Sequence, residues 1–142
     1  MKRILVALDG SPRAPKVLEA AIRLAELGGA TLVLYRAISV APDLPRAVLL
    51  DANVQLEDVL VANAYRDLER LAERVPSGLL EQIVTAFATP WDGICRAARE
   101  RDVDLIAIGS HGYGGLDRVL GTVASRVVNH ADRNVLVVRT PL

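Results

Sequence analysis

Four glycines fall within the seven residues Gly109-Ser110-His111-Gly112-Tyr113-Gly114-Gly115, and a fifth, Gly121, is followed at once by Thr122. This spacing suits the binding of a small anion. Glycine admits positive φ and lets main-chain N–H groups approach a phosphate with no Cβ in the way. A helix starting behind Gly121 would add unbonded N–H donors and the positive end of its dipole. Thr122 can cap that helix or give its hydroxyl to a phosphate oxygen. The same glycines equally suit a tight surface loop without a ligand, and the pattern alone leaves both readings open. Two phosphate motifs are excluded. A Walker A loop needs Lys after its last glycine, where this chain has Thr122. A dinucleotide G-x-G-x-x-G should open the first crossover, where this chain has Asp9-Gly10-Ser11.

Asp9 ends the first apolar run, where a carboxylate can accept hydrogen bonds from a ribose, help hold Mg²⁺ at phosphates, or bond the N–H groups of its own turn. His111 lies inside the glycine stretch, within reach of acid–base work, but no Ser-His-Asp or Cys-His spacing surrounds it. Arg118 is the nearest cation in the sequence and fits either a phosphate partner or a solvated side chain. His130 is placed to close the last helix. Cys95, the lone cysteine, reads as a small core residue, so neither a disulfide framework nor a cysteine zinc cluster is available.

The elements that must position these residues alternate. Arg3 to Leu8 is a buried strand, and Ser11 with Pro12 is expected to start the first helix, which Gly28-Gly29 stops. Thr31 to Ile38 is the second strand. Pro42 and Pro45 mark Ser39 to Leu49 as a loop, and a long helix is expected from Leu50 to Arg74 with Leu56, Leu60, Ala64, Leu68, Leu71 and Val75 as its apolar stripe. Leu79 to Ala86, Asp104 to Ile108 and Asn134 to Val138 are strands, separated by helices from Pro90 to Arg101 and from Thr122 to His130. The order β-α-β-α-β-α-β-α-β predicts one α/β domain over residues 1–142, with right-handed parallel crossovers and helices on both faces of the sheet. Ligands of such sheets sit beyond the carboxyl ends of the strands, where strand order reverses.

Composition agrees with this architecture. Of the 142 residues 51% are hydrophobic and only 4% aromatic, so the core is aliphatic. Lys+Arg and Asp+Glu each total 17, which gives no general attraction to nucleic acid or anionic membrane. The basic start and short apolar run of MKRILVALDG read as a strand, since Asp9 cuts it short, and no stretch approaches a membrane span. A cytoplasmic protein with neither nucleic acid nor membrane as partner is expected.

The segments ILVALDGS, LVLYRAI and GSHGYGGLDRVLGTVASRVVNHADRNVLVVR resemble the universal stress protein family over essentially the whole chain. The resemblance implies an open five-stranded parallel sheet of order 3-2-1-4-5, Rossmann-like in the manner of the adenine nucleotide alpha hydrolases, with Asp9 and the Gly109 loop at one crevice. It also implies an ATP or other adenine-nucleotide site, with or without Mg²⁺. Gly109, Gly112, Gly121 and Thr122 match the fixed positions of the nucleotide-binding branch, with the main chain of the neighbouring His111 and Val123 facing the phosphates. Asp9 matches the acidic residue near ribose and adenine, and Ala37 the second-strand residue whose main chain meets the base. The branch pattern has nine residues between its second and third glycines, whereas eight separate Gly112 from Gly121. Members pair as homodimers through the last strand, here Asn134 to Val138.

The reading is therefore a nucleotide-binding regulator of stress tolerance acting through protein contacts, with no dedicated turnover and at most slow ATP hydrolysis. Two alternatives remain at this stage: a ligand-free dimeric interaction module, and an enzyme acting on an adenylated or phosphorylated small molecule with His111 as acid or base.

Overall fold

The computed structural model describes residues 1–39, 46–111 and 119–140, the side chains of 46–55 excepted. Its elements are β1 (Arg3–Ala7), α1 (Ala14–Gly28), β2 (Thr31–Ile38), α2 (Arg46–Ala72), β3 (Leu80–Phe87), α3 (Pro90–Glu100), β4 (Leu105–Gly109), α4 (Thr122–His130) and β5 (Asn134–Val138). All neighbouring strands run parallel, in the order β3-β2-β1-β4-β5. Strand order thus reverses between β1 and β4, and the expected topology is the one found.

The central strands are apolar through their middles, Ile4 to Ala7, Leu32 to Leu34 and Leu105 to Ile108, because both faces are covered there. Ile4, Val6 and Leu8 project into one layer with Val17, Leu18, Ala21 and Ala25 of α1 and with Leu68 of α2. Leu5 and Ala7 project the other way, against Ile94, Cys95, Ala97 and Ala98 of α3 and Val127 of α4. Burial pushes the Cys95 thiol above its ordinary range, as befits a core residue. The α2 stripe is as expected in position, with Ala64 and Leu68 buried and Leu56, Leu60, Leu71 and Val75 partly so.

Polar clasps fix the ends of the layers. Asp104 Oδ2 accepts the N–H groups of Lys2 and Arg3 at 2.6 and 2.9 Å, tying the starts of β4 and β1 together. These two amides hold the Asp104 carboxyl below the usual carboxylate range. Arg133 Nη1 donates to the carbonyls of Ala98 and Val103, both at 2.9 Å, which joins the end of α3 to the start of β5. His130 Nδ1 lies 2.8 Å from the Arg126 carbonyl, closing α4 as expected, and its ring packs on Trp91 at 4.6 Å.

Two helix starts and one cap assignment differ from the sequence reading, and other element ends shift by one or two residues. The first helix starts at Ala14 with Arg13 in the capping position and Pro15 in its first turn, so neither Ser11 as cap nor Pro12 as first helical residue holds. Ser11 and Pro12 instead form a turn, because Asp9 Oδ1 takes the Ser11 N–H at 2.9 Å and Ser11 Oγ takes the Arg13 N–H at 3.3 Å. The long helix begins at Arg46, four residues before Leu50, so the expected Ser39–Leu49 loop is helical over 46–49. Its proline-bearing part, 40–45, lies outside the described residues. Gly121 rather than Thr122 occupies the capping position of α4, and no side chain caps it. Thr122 keeps a hydroxyl uncommitted to its own helix.

Candidate functional site

The strand-order reversal opens a crevice of about 480 Å³ at the carboxyl ends of β1 and β4. Sites for small molecules commonly measure roughly 300–1,000 Å³. Ala7, Tyr35, Ile94 and Ile108 supply apolar wall, while Asp9, Arg13, Ser110, His111 and the start of α4 supply the polar part. Burial pushes the Tyr35 phenol above its ordinary range, so it stays neutral at the crevice wall.

The β4 end of the site is set by main-chain bonds. Ser110 N–H donates to the Val138 carbonyl at 2.8 Å, and the Ser110 carbonyl accepts the Gly121 N–H at 2.7 Å. The two ends of the glycine stretch are thereby tied together, and α4 is anchored directly beside His111. Gly109 sits in a tight place: a Cβ would stand 3.0 Å from Val17 Cγ2 of α1, which would have to give by a few tenths of an ångström. At Gly121 a Cβ would stand 3.2 Å from the Ser110 carbonyl oxygen and 3.5 Å from His111 Cα. The conformation of Gly121 is ordinary, φ −61° and ψ 163°, so contact and not backbone strain reserves this position for glycine.

The first intrahelical bond of α4 runs from the Ser125 N–H to the Gly121 carbonyl. The Gly121 N–H is spent on Ser110, whereas those of Thr122, Val123 and Ala124 have no acceptor among the described residues. All three residues line the crevice. A helix start with unbonded amides carries the positive end of the dipole and suits an anion.

On the opposite side Asp9 is exposed, and with Oδ1 bonded to Ser11 its Oδ2 has no partner among the described residues. Arg36 holds the strand end that carries it, donating from Nε to the Leu8 carbonyl at 3.2 Å and from Nη2 to the Asp9 carbonyl at 3.0 Å. Tyr35 accepts the Leu8 N–H at 2.9 Å, which is the last bond between β1 and β2. Main-chain groups alternate sides along a strand, so Ala37, two residues further, turns its N–H and C=O toward the space β1 has vacated. Ala37 lines the crevice, and neither group has a partner there among the described residues.

Asp9, Ala37, Gly109, His111, Gly121, Thr122 and Val123 therefore lie around one cavity. Gly112, together with Tyr113 and Arg118, falls outside the described residues. Two features escaped the sequence. His111 is buried, and neither ring nitrogen has a partner among the described residues. Arg13 lines the cavity and is also buried, with Nη1 unpartnered among the same residues. The signal for Arg13, a basic residue where a helix cap is normally Ser, Thr, Asp or Asn, was hidden by assigning the cap to Ser11. For a divalent cation, Asp9 is the one carboxylate lining the cavity, and no cluster of three His, Cys, Asp or Glu occurs among the described residues. That donor set fits Mg²⁺ only as an ion held mainly by phosphates and water.

The model of the universal stress protein family matches residues 1–139. Universal stress protein A homolog 1 of Coxiella burnetii is 32% identical over 140 residues, covering 96% of this chain and 95% of that protein. The universal stress protein UspA from Lactobacillus plantarum has the same fold, with a TM-score of 0.77, 27% identity and 97% of each chain covered. A more distant structure, the universal stress protein from Archaeoglobus fulgidus in complex with dAMP, superposes with a TM-score of 0.59 at 22% identity, covering 96% of this chain and 97% of that one. Among the described residues, no helix is long and apolar enough to cross a membrane.

Proposed function

We propose, for a chain that belongs to the universal stress protein family, that its crevice binds an adenine nucleotide and that occupancy regulates a stress response in the cytoplasm. The observation that carries this reading is the set of three unbonded amides, Thr122, Val123 and Ala124, at the crevice lining across from Asp9. They are suited to phosphate, with Thr122 Oγ1 beside them. The uncommitted Oδ2 of Asp9 is suited to ribose hydroxyls. The N–H and C=O of Ala37 are suited to adenine, which offers an acceptor at N1 next to a donor amino group. Guanine offers the reverse order and would fit poorly. The dAMP bound by the Archaeoglobus fulgidus protein is a nucleotide of this chemical class.

On this reading the chain is a member of the nucleotide-binding branch of the family, in spite of the shorter Tyr113–Leu120 connection. The 2.7 Å bond from Gly121 to Ser110 supports that placement, because it brings the two ends of the shorter connection together. Turnover is expected to be slow. Amides position phosphate, but a base needs an orienting partner; His111 has none among the described residues, and Asp9 spends one oxygen on its own turn. The second partner we propose is another copy of the chain, paired through the edge strand Asn134–Val138.

Calorimetry with ATP, ADP, AMP and GTP tests the reading. Saturable binding of the adenine nucleotides, with GTP at least about tenfold weaker for the loss of one or two base hydrogen bonds, is expected. Absence of binding by all four would overturn it.

A further inference from the structure

Arg13 breaks two rules of chain design at once. It occupies the capping position of α1, where the helix presents the positive end of its dipole, and no acidic residue stands in the first turn to offset it. It is also only 4% exposed, and its Nη1 has no hydrogen-bond partner among the described residues. A buried guanidinium with an unpartnered nitrogen is costly, and arginine does not escape by shedding its proton as a buried lysine does. Local rules broken in this way mark positions where function outweighs stability. The cost is offset once an anion reaches the guanidinium.

The surroundings point to the same conclusion. Arg13 lines the crevice together with the start of α4, which likewise has no acid in its first turn. His111 lines the same cavity at 6% exposure, and neither ring nitrogen has a partner among the described residues. Two helix starts and a guanidinium therefore border one cavity, against one carboxylate among the described residues, Asp9. The chain is neutral as a whole, so this gathering of positive groups is local.

We propose that Arg13 is a specificity-determining residue that pairs with the phosphate of the bound nucleotide, supplying counter-charge that a divalent cation would otherwise provide. This rests on the nucleotide reading of the crevice and adds to it two properties: selection for phosphorylated ligands over the nucleoside, and binding that does not require Mg²⁺.

The test is calorimetry of wild type, Arg13→Met and Arg13→Gln with AMP, ATP and adenosine, each in EDTA and in Mg²⁺, alongside thermal melts of the ligand-free proteins. Wild type is expected to bind AMP and ATP in EDTA. Both variants are expected to lose about 10- to 100-fold in AMP and ATP affinity, the share of one charge-assisted hydrogen-bonding partner, while their weaker adenosine binding stays unchanged. Their ligand-free melting temperatures should equal or exceed that of wild type, since an unpaired buried charge has been removed. Equal AMP affinity in wild type and variants would overturn the proposal, as would a parallel loss for adenosine or a large fall in melting temperature, including failure to fold, because these mark a structural role. A wild type that binds AMP only with Mg²⁺ would also overturn it while leaving the nucleotide reading intact. A wild type that binds none of the three removes both.

Discussion

Gly121→Val is expected to lower ATP affinity by about 100-fold while leaving the folded chain intact, as read by calorimetry together with far-UV circular dichroism. The added Cβ would stand 3.2 Å from the Ser110 carbonyl oxygen, the same atom that anchors the Gly121 N–H. One branched side chain must therefore push the start of α4 away from Ser110, and Thr122, Val123 and Ala124 move with it. Hydrogen bonds to charged groups contribute roughly 1.5–3 kcal/mol each, so misplacing even two of the three amides accounts for a loss of that size. The fold should survive, because the apolar layers contain no side chain of Gly121 and its backbone conformation is open to any residue. Equal affinity in the variant would mean that phosphate does not sit at this helix start.

Ile106→Ala is expected to cost about 3 kcal/mol of stability, seen as a fall in Tm of roughly 10 °C. Ile106 is fully buried at the middle of β4, pairing with Leu5 of β1 on one side and Val135 of β5 on the other. Its side chain fills the layer between the sheet and α3 with α4, next to Ala97, Ala98 and Val127. The side chains around it are themselves packed between sheet and helices, so they relax only in part into the space left by three missing carbons. Because β4 leads directly into Gly109 and Ser110, the same variant should also weaken nucleotide binding, but less than Gly121→Val does. A loss under about 1 kcal/mol in denaturant titration would show that the layer is looser than its burial indicates.

Much of this architecture is legible in the chain, and the reasons differ by element. The runs ILVAL, LIAI and VLVV declare themselves because strands in a two-sided α/β sheet need no polar face, and each is bounded by turn residues. The α4 start is legible because glycine followed by Thr and a short apolar helix leaves few alternatives. Sequence spacing does not show that β4 lies beside β1, since pairing between strands about a hundred residues apart depends on how all the helices pack. That knowledge came from the family resemblance. The start of α2 was misplaced because Pro42 and Pro45 suggested a longer break than the chain makes. The Ser11-Pro12 pair was misread because the same residues serve a turn as well as a helix cap. Burial of Arg13 and His111 could not be foreseen, as arginine is ordinarily a surface residue and only the assembled crevice encloses these two.

The placement of Ala37 was anticipated through the resemblance, yet its physical basis appears only in the strand register. β1 stops at Ala7 while β2 continues to Ile38, so Ala37 keeps, on its β1 side, main-chain groups that no neighbouring strand among the described residues uses. A nucleotide base at that edge would extend the ladder by one step. The apolar walls from Tyr35 and Ile94 would then cover its faces.

The most direct test of the account is an amide-resolved NMR titration of the ¹⁵N-labelled protein with ATP. The amide signals of Thr122, Val123 and Ala124 should shift strongly and saturate together with that of Ala37, while those of the last turn of α4, Val128 to His130, stay nearly still. Saturable binding that leaves the three amides at the helix start unmoved would contradict the claim that they hold the phosphate.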